Sequence, residues 1–200
     1  MTPELKALVL DLHAIEAIRF GSFTLRTGLI TPFYIDLRVI IAYPALLKRL
    51  SRELGKLLAP LQVDLVCAVP FAALSIATAV SLELEVPMLF RRPEAKEYGT
   101  KKLIEGVYQK GQRCLIIEDV IVYGTSVLET THPLRNAGLE VEDVVVVVDR
   151  EQGGKANLQK HGLFLHPLLS IVDILKVLFH EKRIDEATFR AVNAFLATAP

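Results

Sequence analysis

Beyond residue 64 the chain alternates between short, largely apolar strand-like runs and longer stretches with a single apolar face. The runs fall at 65–69, 87–91, 113–118, 144–149 and 163–168, and the one-faced stretches at 73–84, 126–137 and 155–161 lie among them. A run without polar alternation suits a strand covered on both faces, the situation of a parallel sheet. Strand and helix in turn predict an α/β fold: a parallel sheet with right-handed crossovers.

Ahead of that region, Thr2, Pro3 and Glu4 read as an N-cap, a proline at the first helical position and an acid in the first turn. Leu5, Leu8, Leu12 and Ile15 follow as one apolar stripe, which predicts a helix to about Ile18. Residues 20–25 and 33–37 read as two short strands flanking Arg26-Thr27-Gly28. Pro44 opens a second helix with Leu47, Leu50, Leu54 and Leu58 on its apolar face, ending near Ala59-Pro60. Residues 171–180 and 185–197 are predicted as closing helices, and no stretch reads as a repeat or a linker.

Residues 92–105 break the alternation. They carry Arg92, Lys96, Lys101 and Lys102 with Glu94, Glu97 and Glu105, and no apolar stripe. By composition alone this is a solvated hairpin.

The totals narrow the classes. Two hundred residues suffice for one domain with a substantial core and are few for two. An apolar content of 52% and a mean hydropathy of +0.38 predict a well-covered sheet. No apolar run reaches the roughly 18–20 residues of a membrane span, and Met1-Thr2-Pro3-Glu4 does not open a signal peptide. A formal charge of zero speaks against a nucleic-acid binder held by a positive field. Cys67 and Cys114 sit in apolar strand patterns, as buried thiols of a cytoplasmic protein do. The five histidines form no ligand-like cluster, so no tightly held zinc is expected.

The chemistry concentrates in residues 114–126. Four apolar residues run into Glu118-Asp119, a short loop follows, and Gly124-Thr125-Ser126 opens a helical pattern. A glycine-bearing turn at a helix start can aim backbone N–H groups at an anion, with both hydroxyls in reach. Carboxylates expected just past a strand end lie where open α/β sheets bind ligands. A phosphate cradle beside two acids able to hold sugar hydroxyls describes a sugar-phosphate site.

At these residues the chain resembles a known family. Ile116-Ile117-Glu118-Asp119-Val120 followed by Gly124-Thr125-Ser126 is similar to the phosphoribosyl-pyrophosphate (PRPP) motif of type I phosphoribosyltransferases. Three further stretches narrow it to orotate phosphoribosyltransferases, near the first domain of UMP synthase. They are Phe23-Thr24-Leu25-Arg26-Thr27-Gly28 with Thr31-Pro32-Phe33-Tyr34-Ile35-Asp36, then Arg92 to Gly106, then Asp149-Arg150-Glu151-Gln152-Gly153-Gly154. The resemblance runs from about residue 10 to 197.

The resemblance implies a single phosphoribosyltransferase domain over 1–200, with a small N-terminal hood and a mobile catalytic loop at about 92–105. The chain stops where a UMP synthase would continue, which implies a stand-alone transferase. The implied reaction joins orotate to C1′ of PRPP and expels pyrophosphate, giving orotidine 5′-monophosphate in pyrimidine biosynthesis. Mg²⁺ is the implied cofactor, carried by PRPP with Asp119 as a possible ligand. The implied assembly is a cytoplasmic homodimer whose loop serves the partner's site.

The resemblance also implies a role for each matched position, as follows. Glu118 and Asp119 hold the ribose hydroxyls, and Gly124, Thr125 and Ser126 cradle the 5′-phosphate. Val120, Ile121, Val122 and Tyr123 line the strand end between them. Lys96 is the catalytic loop lysine on pyrophosphate, with Arg92 beside it and Tyr98 in the same loop. Arg26, Phe71 and Ala72 belong to the substrate loops, Tyr34 and Ile35 to the base pocket, and Arg150 to the orotate carboxylate.

Several of these positions depart from the family pattern. Arg26 stands where lysine is usual, Phe71 and Ala72 remove polar groups, and Pro93 replaces a basic residue. Val122 replaces a threonine that meets orotate, and Tyr123 replaces a small residue. Three readings stay open: an enzyme with a shifted pocket, a transferase for another base, and a protein that binds PRPP without catalysis.

Overall fold

The computed structural model describes residues 1–24, 28, 30–92 and 103–198. A six-stranded sheet forms the centre, in the order β5-β4-β3-β6-β7-β8. These strands are β3 (Leu65–Ala68), β4 (Met88–Arg91), β5 (Ile104–Glu105), β6 (Cys114–Ile121), β7 (Asp143–Asp149) and β8 (Phe164–Ser170). All neighbouring pairs are parallel except β4 with β5.

Two helical layers explain the unbroken apolar runs. Leu115, Ile117, Val145 and Val147 pack with α2 (Pro44–Leu58), α3 (Ala73–Leu84) and α6 (Ile171–His180). Their strand neighbours Cys114, Ile116, Val144 and Val146 pack with α4 (Thr125–Asn136) and α5 (Gly154–Lys160) on the opposite face. Each fully buried aliphatic side chain contributes about 1.5–3 kcal/mol of transfer free energy, so apolar residues are wanted at successive positions. Cys67 and Cys114 are free thiols within the second of these clusters.

The N-terminal segment forms a separate two-stranded antiparallel sheet of β1 (Ile18–Thr24) and β2 (Ile30–Ile35). Phe33 of β2 is buried against Ile171 and Leu175 of α6 and Val192 of α7 (Glu186–Thr198). α1 (Pro3–Ala14) packs into the first helical layer through Leu8 and Leu12.

Four expectations are corrected. α1 ends at Ala14 and not near Ile18, because Glu16 turns the chain at a φ of 60° and Ile18 pairs with Ile35. Leu37 begins a 3-10 helix, Leu37–Ala42, capped by the Asp36 side chain, where a strand end was expected. β6 does not end at Glu118: it runs on through Asp119 to Ile121, because β7 stays paired with it to the Ile121–Asp149 rung. The sheet is also not wholly parallel, since β5 pairs antiparallel with β4 at the base of the 92–105 segment. A two-residue strand is too short to leave a periodic signal.

The strand order places the site. β3 leads outward to β4 on one side, whereas β6 leads through β7 to β8 on the other. The connections therefore diverge between β3 and β6. Ligands of open α/β sheets bind at such a switch point, beyond the carboxyl ends of the strands.

Candidate active site

An open pocket at the carboxyl end of β6 is lined by Glu118 and by residues 120–126. Ile121 is buried and anchors the turn, while Val122 and Tyr123 are exposed at the mouth. Gly124 is the residue before α4 and takes a φ of 89°, in the left-handed region. A Cβ there would also lie 2.9 Å from Leu158 Cδ2. No side chain caps this helix, so the first-turn N–H groups remain available to a ligand, with Thr125 and Ser126 exposed beside them.

α5 buttresses this turn from behind. A Cβ on Gly154 would lie 2.9 Å from the Val122 carbonyl oxygen, so only glycine lets α5 approach so closely. Asn157 then donates from Nδ2 to the Tyr123 carbonyl at 2.9 Å. Sequence reasoning did not single out Asn157, because an asparagine in a helix carries no sign of a partner 34 residues away.

The two acids differ in setting. Glu118 is 6% exposed and Asp119 half-buried. The Glu118 carboxylate folds back to accept the Asp119 N–H at 3.1 Å. Burial pushes the Glu118 carboxyl well above the usual glutamate range, and the adjoining Asp119 side chain adds to the rise. This pair attracts positive charge. Among the described residues no group of three or more His, Cys, Asp or Glu side chains could hold a metal ion. Two adjacent carboxylates nevertheless suit Mg²⁺, which takes few protein ligands and completes its shell with substrate oxygens and water.

Arg150 follows β7 and is only 6% exposed. Its N–H donates to the Ile121 carbonyl at 3.0 Å, tying it to the end of β6. Nη2 donates to Thr31 Oγ1 at 3.3 Å, and the guanidinium lies 4.4 Å from the centre of the Phe33 ring. Nε is buried without a hydrogen-bond partner. Burial lowers the affinity of Arg150 for its proton, and no carboxylate among the described residues offsets it.

The remaining candidates are spread around this centre. Tyr34 and Ile35 lie on β2, and the Tyr34 ring is 5.6 Å from that of Phe23 with the Arg19 guanidinium 5.3 Å from its centre. Phe71 is 73% exposed and Ala72 half-buried, both in the loop after β3. Arg92 pairs with Glu105 at 2.9 Å across the base of the 92–105 segment. Arg26, Lys96 and Tyr98, together with Pro93, lie outside the described residues. β6 and the end of β7 thus gather Glu118, Asp119, the turn and Arg150, while Tyr34 sits in the β1–β2 unit.

Comparison with known proteins agrees with this geometry. Residues 39–162 match the family model of the phosphoribosyl transferase domain. Uridine 5′-monophosphate synthase of Bos taurus is 46% identical over 98% of this chain and 42% of its own length. Orotate phosphoribosyltransferase of Caenorhabditis elegans is 43% identical over 94% of this chain and 83% of its own. The structure of Leishmania donovani UMP synthase superposes with a TM-score of 0.89 at 38% identity, covering 96% of this chain and 42% of that one. The chain therefore spans well under half the length of the synthases it matches.

Proposed function

Since the chain belongs to the phosphoribosyltransferase domain family, in its orotate phosphoribosyltransferase and UMP synthase branch, we propose that it transfers ribose 5-phosphate from PRPP to orotate. The observation that carries this reading is one juxtaposition: Glu118 and Asp119 stand directly ahead of the glycine turn that opens α4, at the switch point of the sheet. A ribose carrying a 5′-phosphate has hydroxyls on one side and an anion on the other, and this site offers partners for both.

In this reading the acids accept hydrogen bonds from the ribose 2′- and 3′-hydroxyls. The N–H groups and hydroxyls of residues 124–126 hold the 5′-phosphate. Arg150 receives the orotate carboxylate, which supplies the negative charge its burial lacks. Orotate N1 forms a bond to C1′ and gives up its proton to pyrophosphate or water, as the bond from C1′ to pyrophosphate oxygen breaks and the leaving group departs with that electron pair. Positive charge builds on the ribose and negative charge on pyrophosphate, so fixed cations and aligned reactants lower the barrier. Lys96 and Arg92 act on pyrophosphate from the 92–105 segment. Glu118 and Asp119 would hold Mg²⁺ brought with PRPP, which would supply further neutralisation of the pyrophosphate.

The working form is a homodimer in which that segment closes over the partner's site. Exposed Phe71, Phe90, Leu103 and Val107, around the base of the segment and the loop after β3, support a partner there. Two free buried thiols favour a cytoplasmic setting. Among the described residues no helix is long and apolar enough to cross a membrane.

Loss of orotate absorbance on mixing with PRPP and Mg²⁺ tests the reaction. If orotate persists while PRPP still raises the melting temperature, the site binds without catalysing. Exposed Val122 gives the pocket apolar surface, so a less polar base is the second substrate to offer.

A further inference from the structure

We propose that Thr31 is a positioning residue for the base, acting through Arg150; this rests on the reading of Arg150 given above. Thr31 lies in β2, fully buried, and is separated from Arg150 by 119 residues. A threonine hydroxyl has one proton and two acceptor positions. Here the proton is committed: Oγ1 donates to the Phe33 carbonyl at 3.1 Å. Only acceptor positions are left toward Arg150, and Nη2 donates to them at 3.3 Å. The hydroxyl is therefore oriented to receive a cation.

Phe33 completes the seat. Residues two apart share a face of a strand, so Thr31 and Phe33 meet Arg150 together. The hydroxyl takes one edge of the guanidinium and the Phe33 ring lies 4.4 Å from its carbon. A cation over an aromatic face is attracted by the ring quadrupole. The side chain is thereby held from the β1–β2 side without a carboxylate that would neutralise it. Among the described residues neither Nη1 nor Nε gains a hydrogen bond, and Nε is fully buried. A buried guanidinium left short of partners in this way is poised for an anion. Were an acid in the place of Thr31, it would compete with the substrate carboxylate for the same charge; a hydroxyl fixes the direction and leaves the charge free.

Removing the hydroxyl should therefore weaken recognition of a carboxylate on the base while sparing the sugar-phosphate site. Thr31→Val keeps shape and loses the hydroxyl, and Thr31→Ser keeps the hydroxyl. Calorimetry with orotidine 5′-monophosphate and uridine 5′-monophosphate isolates the effect, because the two differ only by that carboxylate. Wild type should prefer the first. Thr31→Val should lose roughly tenfold or more in affinity for orotidine 5′-monophosphate, the loss expected for one hydrogen bond to a charged group. Its affinity for uridine 5′-monophosphate should stay within about twofold, and Thr31→Ser should bind both as wild type does. In turnover, Thr31→Val should raise KM for orotate and not KM for PRPP.

If wild type shows the preference and Thr31→Val keeps it, the positioning role is overturned. An equal loss for both nucleotides would also overturn it, since that marks a general structural defect. If wild type shows no preference, the assignment of Arg150 to the carboxylate fails first and this inference falls with it. Should Thr31→Val not fold, Thr31→Cys, of similar size and with a much weaker acceptor, must show the same selective loss.

Discussion

Asn157 Nδ2 donates to the main-chain carbonyl of Tyr123 at 2.9 Å, across 34 residues of sequence. The bond fixes the back of the turn whose front is proposed to hold phosphate. A single neutral hydrogen bond contributes about 0.5–1.5 kcal/mol. Asn157→Ala should therefore raise KM for PRPP roughly three- to tenfold, leave KM for orotate nearly unchanged, and lower Tm by about 2–4 °C per kcal/mol lost. Steady-state kinetics with each substrate varied, together with a melting curve, checks all three. An unchanged KM for PRPP would mean that the turn keeps its shape without this bond.

Glu118 is placed where its charge is costly. Its carboxyl is raised by burial and by Asp119, so between the ordinary glutamate range and its higher folded value the native state holds a proton that the unfolded chain has released. The contribution of Glu118 to stability is therefore most favourable at low pH and declines as pH rises through that window. Glu118→Gln removes the decline. At neutral pH and without ligand it should raise Tm while weakening PRPP binding; stability traded for function in this way is common at active sites. Adding Asp119→Asn should deepen the loss for PRPP far more than for orotate. Melting curves from pH 5 to pH 8 and calorimetry with PRPP decide it, and unchanged PRPP affinity in the double variant would remove the central assignment.

Val122 is 41% exposed at the mouth of the pocket, at a position where the family resemblance implies a threonine. Valine and threonine are nearly the same size, so Val122→Thr adds a hydroxyl at little steric cost. A hydrogen bond to a charged or strongly polar group of orotate is worth about 1.5–3 kcal/mol, or roughly ten- to a hundredfold in affinity. KM for orotate should fall clearly and KM for PRPP should hardly move. If KM for orotate stays or rises, Val122 does not face the base, and a different base gains ground as the substrate.

Shared sites can be tested by complementation. Lys96→Ala and Asp119→Asn proteins should each be nearly inactive. If the segment carrying Lys96 serves the partner's site, a mixed dimer holds one site free of both lesions, and mixing should restore about a quarter of wild-type activity at equal amounts and random exchange. No recovery after verified subunit exchange would place Lys96 in the site of its own chain.

Much of this was legible in the residues. The unbroken runs around Ile116 and Val146 demanded two covering layers, and the period of the helices between them supplied those layers. The local chemistry of Gly124 also declared itself, since a turn before a helix favours a residue that tolerates positive φ. The extent of β6 was not legible. Polar Glu118 and Asp119 look like a strand end, and they remain in the strand because β7 holds hydrogen bonds on one side of it out to Ile121.

The sequence by itself thus determined the α/β alternation, the acidic pair before a glycine turn, and the membership that those motifs announced. Tertiary structure alone decided which residues support them: Asn157 behind Tyr123, Gly154 against Val122, and Thr31 with Phe33 around Arg150. Periodicity and turn chemistry act over a few residues and leave a trace in the local pattern. A hydrogen bond between Thr31 and Arg150 leaves none, because its partners meet only after β2 has docked beside the end of β7, and nothing within either segment encodes the other's position.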